Sequence, residues 1–151
     1  MKQDIQNDIE KLEELLEYSI QVDNNRDKKL QTLKQTIESK IKNPLNGENK
    51  KVIIFTAFAD TAQYLYDNIS LWAKNLGVES CLITGSGINQ STLFPKERDL
   101  NTLLTHFSPI SKDRAKIDST QSKELDILIA TDCISEGQNL QDCDFLINYD
   151  I

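Results

Sequence analysis

Residues 127–150 read "ILIATDCISEGQNLQDCDFLINYD", and this stretch decides the fold. Its two apolar runs, inside "DILIATD" and "DFLINYD", have the composition of buried strands. The polar stretch between them reads as a loop. If the two strands are parallel neighbours, their crossover needs about a dozen residues. The interval from Cys133 to Asp142 is barely that long and is expected to hold one helical turn ended by Gly137.

The same texture recurs upstream. "KVIIFTAF", residues 51–58, is a continuous run of β-branched and aromatic residues, which predicts a strand covered on both faces. Asp60 or Thr61 is then placed to cap a helix carrying Leu65, Ile69 and Trp72 and stopping near Gly77. "ESCLITG" is a second strand, "GSGINQSTLFP" a loop, "KERDLNTLLTHF" a helix and residues 108–124 a long polar connection. Strand, helix, strand, helix, strand predicts an α/β domain with a parallel sheet over residues 51–151.

Residues 1–50 form a helical lead-in with a different pattern. Ile5, Ile9, Leu12 and Leu16 make one amphipathic stripe, and "VDNNRD" is expected to break it. Asp27 would cap a second helix carrying Leu30, Leu33, Ile37 and Ile41, ended by "KNPLNGENK". The two helices could pack as a hairpin. Neither this segment nor any other has the roughly 18 apolar residues of a membrane span. The charged N-terminus is not that of a signal peptide. Three cysteines without a CxxC read as reduced thiols of a cytoplasmic protein.

Net charge is −7 over 151 residues, which argues against a nucleic-acid binder that relies on a broad basic surface. The charge is uneven. Acids dominate residues 1–25, while residues 26–51 hold Arg26 and seven lysines. That basic stretch is either a phosphate-facing surface or a solvated helix face. The carboxyl ends of the predicted strands gather Thr56, Thr84, Gly85, Thr131, Asp132 and Asp150. Ligands of open parallel sheets sit at that edge, and hydroxyls with backbone N–H groups suit phosphate oxygens. Polar residues also end strands without any role. There is no GxxxxGK[ST], GxSxG, HExxH or paired-cysteine motif. "GSGINQ" lacks the third glycine of a dinucleotide loop.

With these residues in view, the chain resembles the second RecA-like domain of superfamily-two helicases and translocases. "KVIIFTAFADTAQYL" resembles motif IV, and "ILIATDCISEGQNLQDCDFLINYD" resembles motifs V and Va. The closest likeness is to Swi/Snf-type ATPases and their bacterial helicase-like relatives, over about residues 26–151. The resemblance implies that Thr131, Thr56, Thr84 and Gly85 touch the backbone of DNA or RNA. It implies that Gly137 and Asn139 face ATP and magnesium held mainly by the first RecA-like domain of the same parent chain. Asn139 stands where DEAD-box proteins carry aspartate, and Glu136 where many relatives carry arginine. The family continues into an arginine-rich motif VI, and this chain stops at Ile151. The expectation is therefore a truncated motor domain that hydrolyses no ATP by itself. Two other readings compete with it. One is a small flavodoxin-like phosphate- or nucleotide-binding module, and the other an interaction module built on the acidic first helix.

Overall fold

Two short apolar segments with almost no exposed surface make the centre of the sheet. They are β1 (Val52–Phe55) and β4 (Ile127–Ala130), paired in parallel with Val52 opposite Ile127 and Phe55 opposite Ala130. The computed structural model describes residues 2–85, 87, 89–110, 123–131, 140 and 142–150, with backbone alone at 2–4 and 18–26. Element order is α1 (Lys2–Lys42), β1, α2 (Ala59–Asn75), β2 (Ser80–Ile83), β3 (Gln90–Ser91), α3 (Leu100–Phe107), β4 and β5 (Leu146–Asn148). The sheet order is β3-β2-β4-β1-β5, and every pairing except β2 with β3 is parallel. This is the predicted mixed α/β architecture with a mostly parallel sheet.

Alternation along the strands separates two packed faces. Ile53, Cys81, Ile83, Leu128 and Ala130 join Leu103, Leu104 and Phe107 of α3 and Leu125 in one buried cluster. The intervening residues Val52, Ile54, Leu82, Ile127 and Ile129 are buried as well. On α2, Ala62, Leu65, Tyr66, Ile69, Ser70 and Ala73 recur at three-four spacing and are buried, and this helix packs on β2 and β4. Full burial of each such leucine or isoleucine contributes about 1.5–3 kcal/mol, which makes these two layers the main source of stability.

Four local expectations change. The stretch "VDNNRD" does not break the first helix, and α1 runs unbroken from Lys2 to Lys42. Asp and Asn cost less than about 0.7 kcal/mol each in a helix, and no Gly or Pro interrupts the run. Propagation outweighs that local preference, so no helical hairpin forms. Helix α2 starts before Asp60 and Thr61. Its N-cap is Phe58, with no side-chain capping bond. The predicted loop of residues 85–95 contains β3, a two-residue antiparallel edge. Last, β5 is an outer strand and not a buried one, with Leu146 55% exposed.

The backbone divides into two compact units, residues 1–36 and 37–151. In the first, Ile5, Ile9, Leu12 and Leu16 are all exposed. In the second, Lys40 near the end of α1 is buried and pairs with Asp144 at 2.6 Å. Its ammonium also donates to the Asn49 carbonyl at 2.5 Å. A buried cation needs such partners, because leaving it unpaired costs several kcal/mol. Asn46 adds a bond to the same carboxylate at 2.8 Å.

Candidate nucleic-acid interface

Parallel register decides which residues share the carboxyl edge. Phe55, Ala130 and Ile83 lie in one row across β1, β4 and β2. The next row is therefore Thr56, Thr131 and Thr84, with strands about 4.8 Å apart. Backbone bonds carry the ladder into that row, from Thr56 N to the Ala130 carbonyl at 3.1 Å and from Thr131 N to the Ile83 carbonyl at 3.2 Å. Three threonines expected from sequence at this edge thus stand side by side. Gly85 follows at φ +76°, a backbone conformation that glycine adopts without strain.

These hydroxyls are not equivalent. Thr131 is buried, and its hydroxyl donates to the Thr84 carbonyl at 3.0 Å. Thr56 is buried too, and its hydroxyl donates to Asp150 at 2.5 Å. Thr84 is half-buried and Gly85 exposed, so they are the most accessible of the four. Gly137 and Asn139 lie outside the described residues, as does Cys133.

Asp150, which the sequence already placed at this edge, and Phe58, which it did not single out, complete it. Asp150, two residues past β5, accepts from both Thr56 and the Ala57 N–H, the latter at 2.9 Å. Phe58 ends the same turn. Its N–H donates to the Thr56 hydroxyl at 3.4 Å, and its carbonyl accepts from Ala62 N at 3.0 Å. The sequence signal for Asp150 is an acid just past a strand. The signal for Phe58 is an aromatic where a strand turns into a helix.

The opposite, amino-terminal edge has a different character. A cleft of about 480 Å³ is lined there by Glu48, Lys51, Glu124, Asp126 and Asp142, among others. Lys51 is buried and bonded to Glu124 at 2.9 Å and to the Leu125 carbonyl at 2.5 Å. Burial pushes the Asp126 carboxyl up, against the attraction of Lys51. Among the described residues no group of three His, Cys, Asp or Glu side chains could hold a metal ion. Cys81 and Cys143 are free thiols, and burial pushes the Cys81 thiol up to about 12, which keeps it protonated and unreactive. Among the described residues no helix is long and apolar enough to cross a membrane.

The mixed α/β fold with a mostly parallel five-stranded sheet is that of a RecA-like helicase C-terminal domain. Residues 28–151 match the helicase conserved C-terminal domain, and the chain belongs to that family. Over 129 residues it is 32% identical to a probable ATP-dependent RNA helicase, ddx51, of Dictyostelium discoideum. The aligned part is 85% of this chain and 20% of that protein, so the chain spans about a fifth of the relative's length. No solved structure matches the chain.

Proposed function

We propose that this chain is the second motor domain of an ATP-dependent helicase or translocase and lends its carboxyl sheet edge to a nucleic-acid backbone. The row of Thr56, Thr84 and Thr131 beside Gly85, within a helicase C-terminal domain, carries the reading. Neutral hydroxyl and N–H donors position a backbone without reading its sequence. That suits a chain of net charge −7, which has no surplus of cations to spend on phosphates. Thr84 and Gly85 make the direct contacts. Thr131 and Thr56 join when a phosphate oxygen replaces their internal acceptors.

Gly137 and Asn139, by resemblance to motif V, face ATP and magnesium held mainly by the first RecA-like domain. The named relative favours RNA, whereas the "TDCISEGQNLQ" motif favours a Swi/Snf-type translocase on duplex DNA. Free thiols at Cys81 and Cys143 fit a reducing cytoplasm.

Anisotropy titrations with labelled single-stranded RNA, single-stranded DNA and duplex DNA test this reading. The chain is expected to bind at least one of them with a Kd of about 10⁻⁴–10⁻⁶ M at physiological salt. Thr84→Val and Thr131→Val should each weaken that binding, and the chain alone should not hydrolyse ATP. Binding of a flavin or a free mononucleotide, with none to any nucleic acid, would make it a flavodoxin-like module instead.

A further inference from the structure

We propose that Phe58 is a stacking platform on which one base of the bound strand rests. This rests on the nucleic-acid reading above and adds a residue and a mode of contact to it. Phe58 is 64% exposed, and it is the only exposed aromatic among the residues whose side chains the structure describes. The other aromatics with described side chains are buried or half-buried. Single exposed apolar residues are common and need no explanation in themselves. Two features separate Phe58 from Leu71, Leu45 or Ile110, which are also exposed.

The first feature is place. Phe58 stands two residues after Thr56, on the threonine edge of the sheet, at the start of α2. A strand lying along Thr84, Thr131 and Thr56 passes next to this turn. The second feature is rigidity. Phe58's N–H and carbonyl are both bonded, and the Asp150 carboxylate clamps the two preceding residues. A ring carried on a fixed backbone loses little conformational freedom when a base settles on it.

The energetics favour the same contact. Stacking on a ring face does not depend on net charge, so an acidic chain keeps it where phosphate attraction is weak. Because every base offers a π-face, the contact is tolerant of sequence, as a moving motor requires. Its signature is an affinity loss that leaves the salt dependence alone.

Titrations of uridine and thymidine homo-oligomers against the full chain test this directly. Phe58→Ala should weaken binding at least about fivefold, the lower end of what one stacked base supplies. The slope of log affinity against log salt should not change. Phe58→Trp should bind like the parent chain and show quenched emission, Phe58→Leu should not rescue, and Leu71→Ala should have no effect. An oligomer carrying 5-bromouracil should photocrosslink to the peptide containing Phe58. That readout uses the unmodified chain and holds even if Phe58→Ala misfolds. Unchanged affinity in Phe58→Ala, with Thr84→Val still weakened, overturns the platform and leaves the motor-domain reading standing. Full binding by Phe58→Leu, or crosslinks only elsewhere, also overturns it. Absence of any nucleic-acid binding by the parent chain overturns the reading itself and the platform with it.

Discussion

Asp144 and Asp126 respond oppositely to their surroundings, although both are aspartates beside a lysine. Burial raises Asp144, but hydrogen bonds from Lys40 and Asn46 outweigh it and hold the carboxyl below its ordinary value of 3.8. Asp126 is raised above 3.8, because burial there outweighs Lys51. The folded state therefore prefers ionised Asp144, whose contribution is present above pH 3.8 and is lost as pH falls through its lowered value. It prefers protonated Asp126, whose contribution is present below pH 3.8 and is lost as pH rises through its raised value. Urea midpoints across pH 3–7 check this. Asp144→Asn should flatten the acid limb of the stability curve, and Asp126→Asn should remove a loss on the rising side. At this scale the sequence was informative about threonines at strand ends and silent about Asp150 as their partner. That partner comes from β5, which meets β1 only through the sheet.

Among the elements, α3 shows local preference and tertiary demand in agreement. Asp99 sits at its N-cap in extended backbone and accepts from Thr102 N at 2.9 Å. Hydrogen bonding from the Thr102 side chain, and next this backbone bond, hold the Asp99 carboxyl below its ordinary value. Asp99→Ala should cost about 1 kcal/mol, read as a lowered thermal midpoint with the sheet intact. Helix α2 shows the opposite case. Asp60 and Thr61 are good capping residues, yet the helix begins ahead of both at Ala59. The turn from β1 into α2 is set by the Asp150 clamp, and a cap preference of about 1 kcal/mol does not override two bonds to a carboxylate. The unbroken α1 and the small β3 were missed for a related reason. Asp and Asn are weak breakers, and an antiparallel pair of two residues leaves no periodic trace.

For the whole molecule, the two compact units carry unequal shares of the packing. Residues 5–17 have exposed side chains throughout, including Ile5, Ile9, Leu12, Leu15 and Leu16. Deleting residues 1–17 should change the unfolding free energy of the remaining chain by no more than about 0.5 kcal/mol, measured by urea denaturation. A larger loss would mean that this helix supports the fold. Apart from the single α1 and the small β3, the order of strands and helices, the parallel sheet and the likeness to helicase motifs were legible in the sequence. Those features depend on which residues are apolar and at what period, and the chain carries that information locally. Only the tertiary structure decided that Thr84, Thr131 and Thr56 stand in one row, that Asp150 closes the turn after them, and that Phe58 is the aromatic left in solvent. Those facts depend on strand order and register. They arise when β4 inserts between β1 and β2 and β5 pairs along the other side of β1, bringing together residues up to 94 positions apart that no local pattern connects.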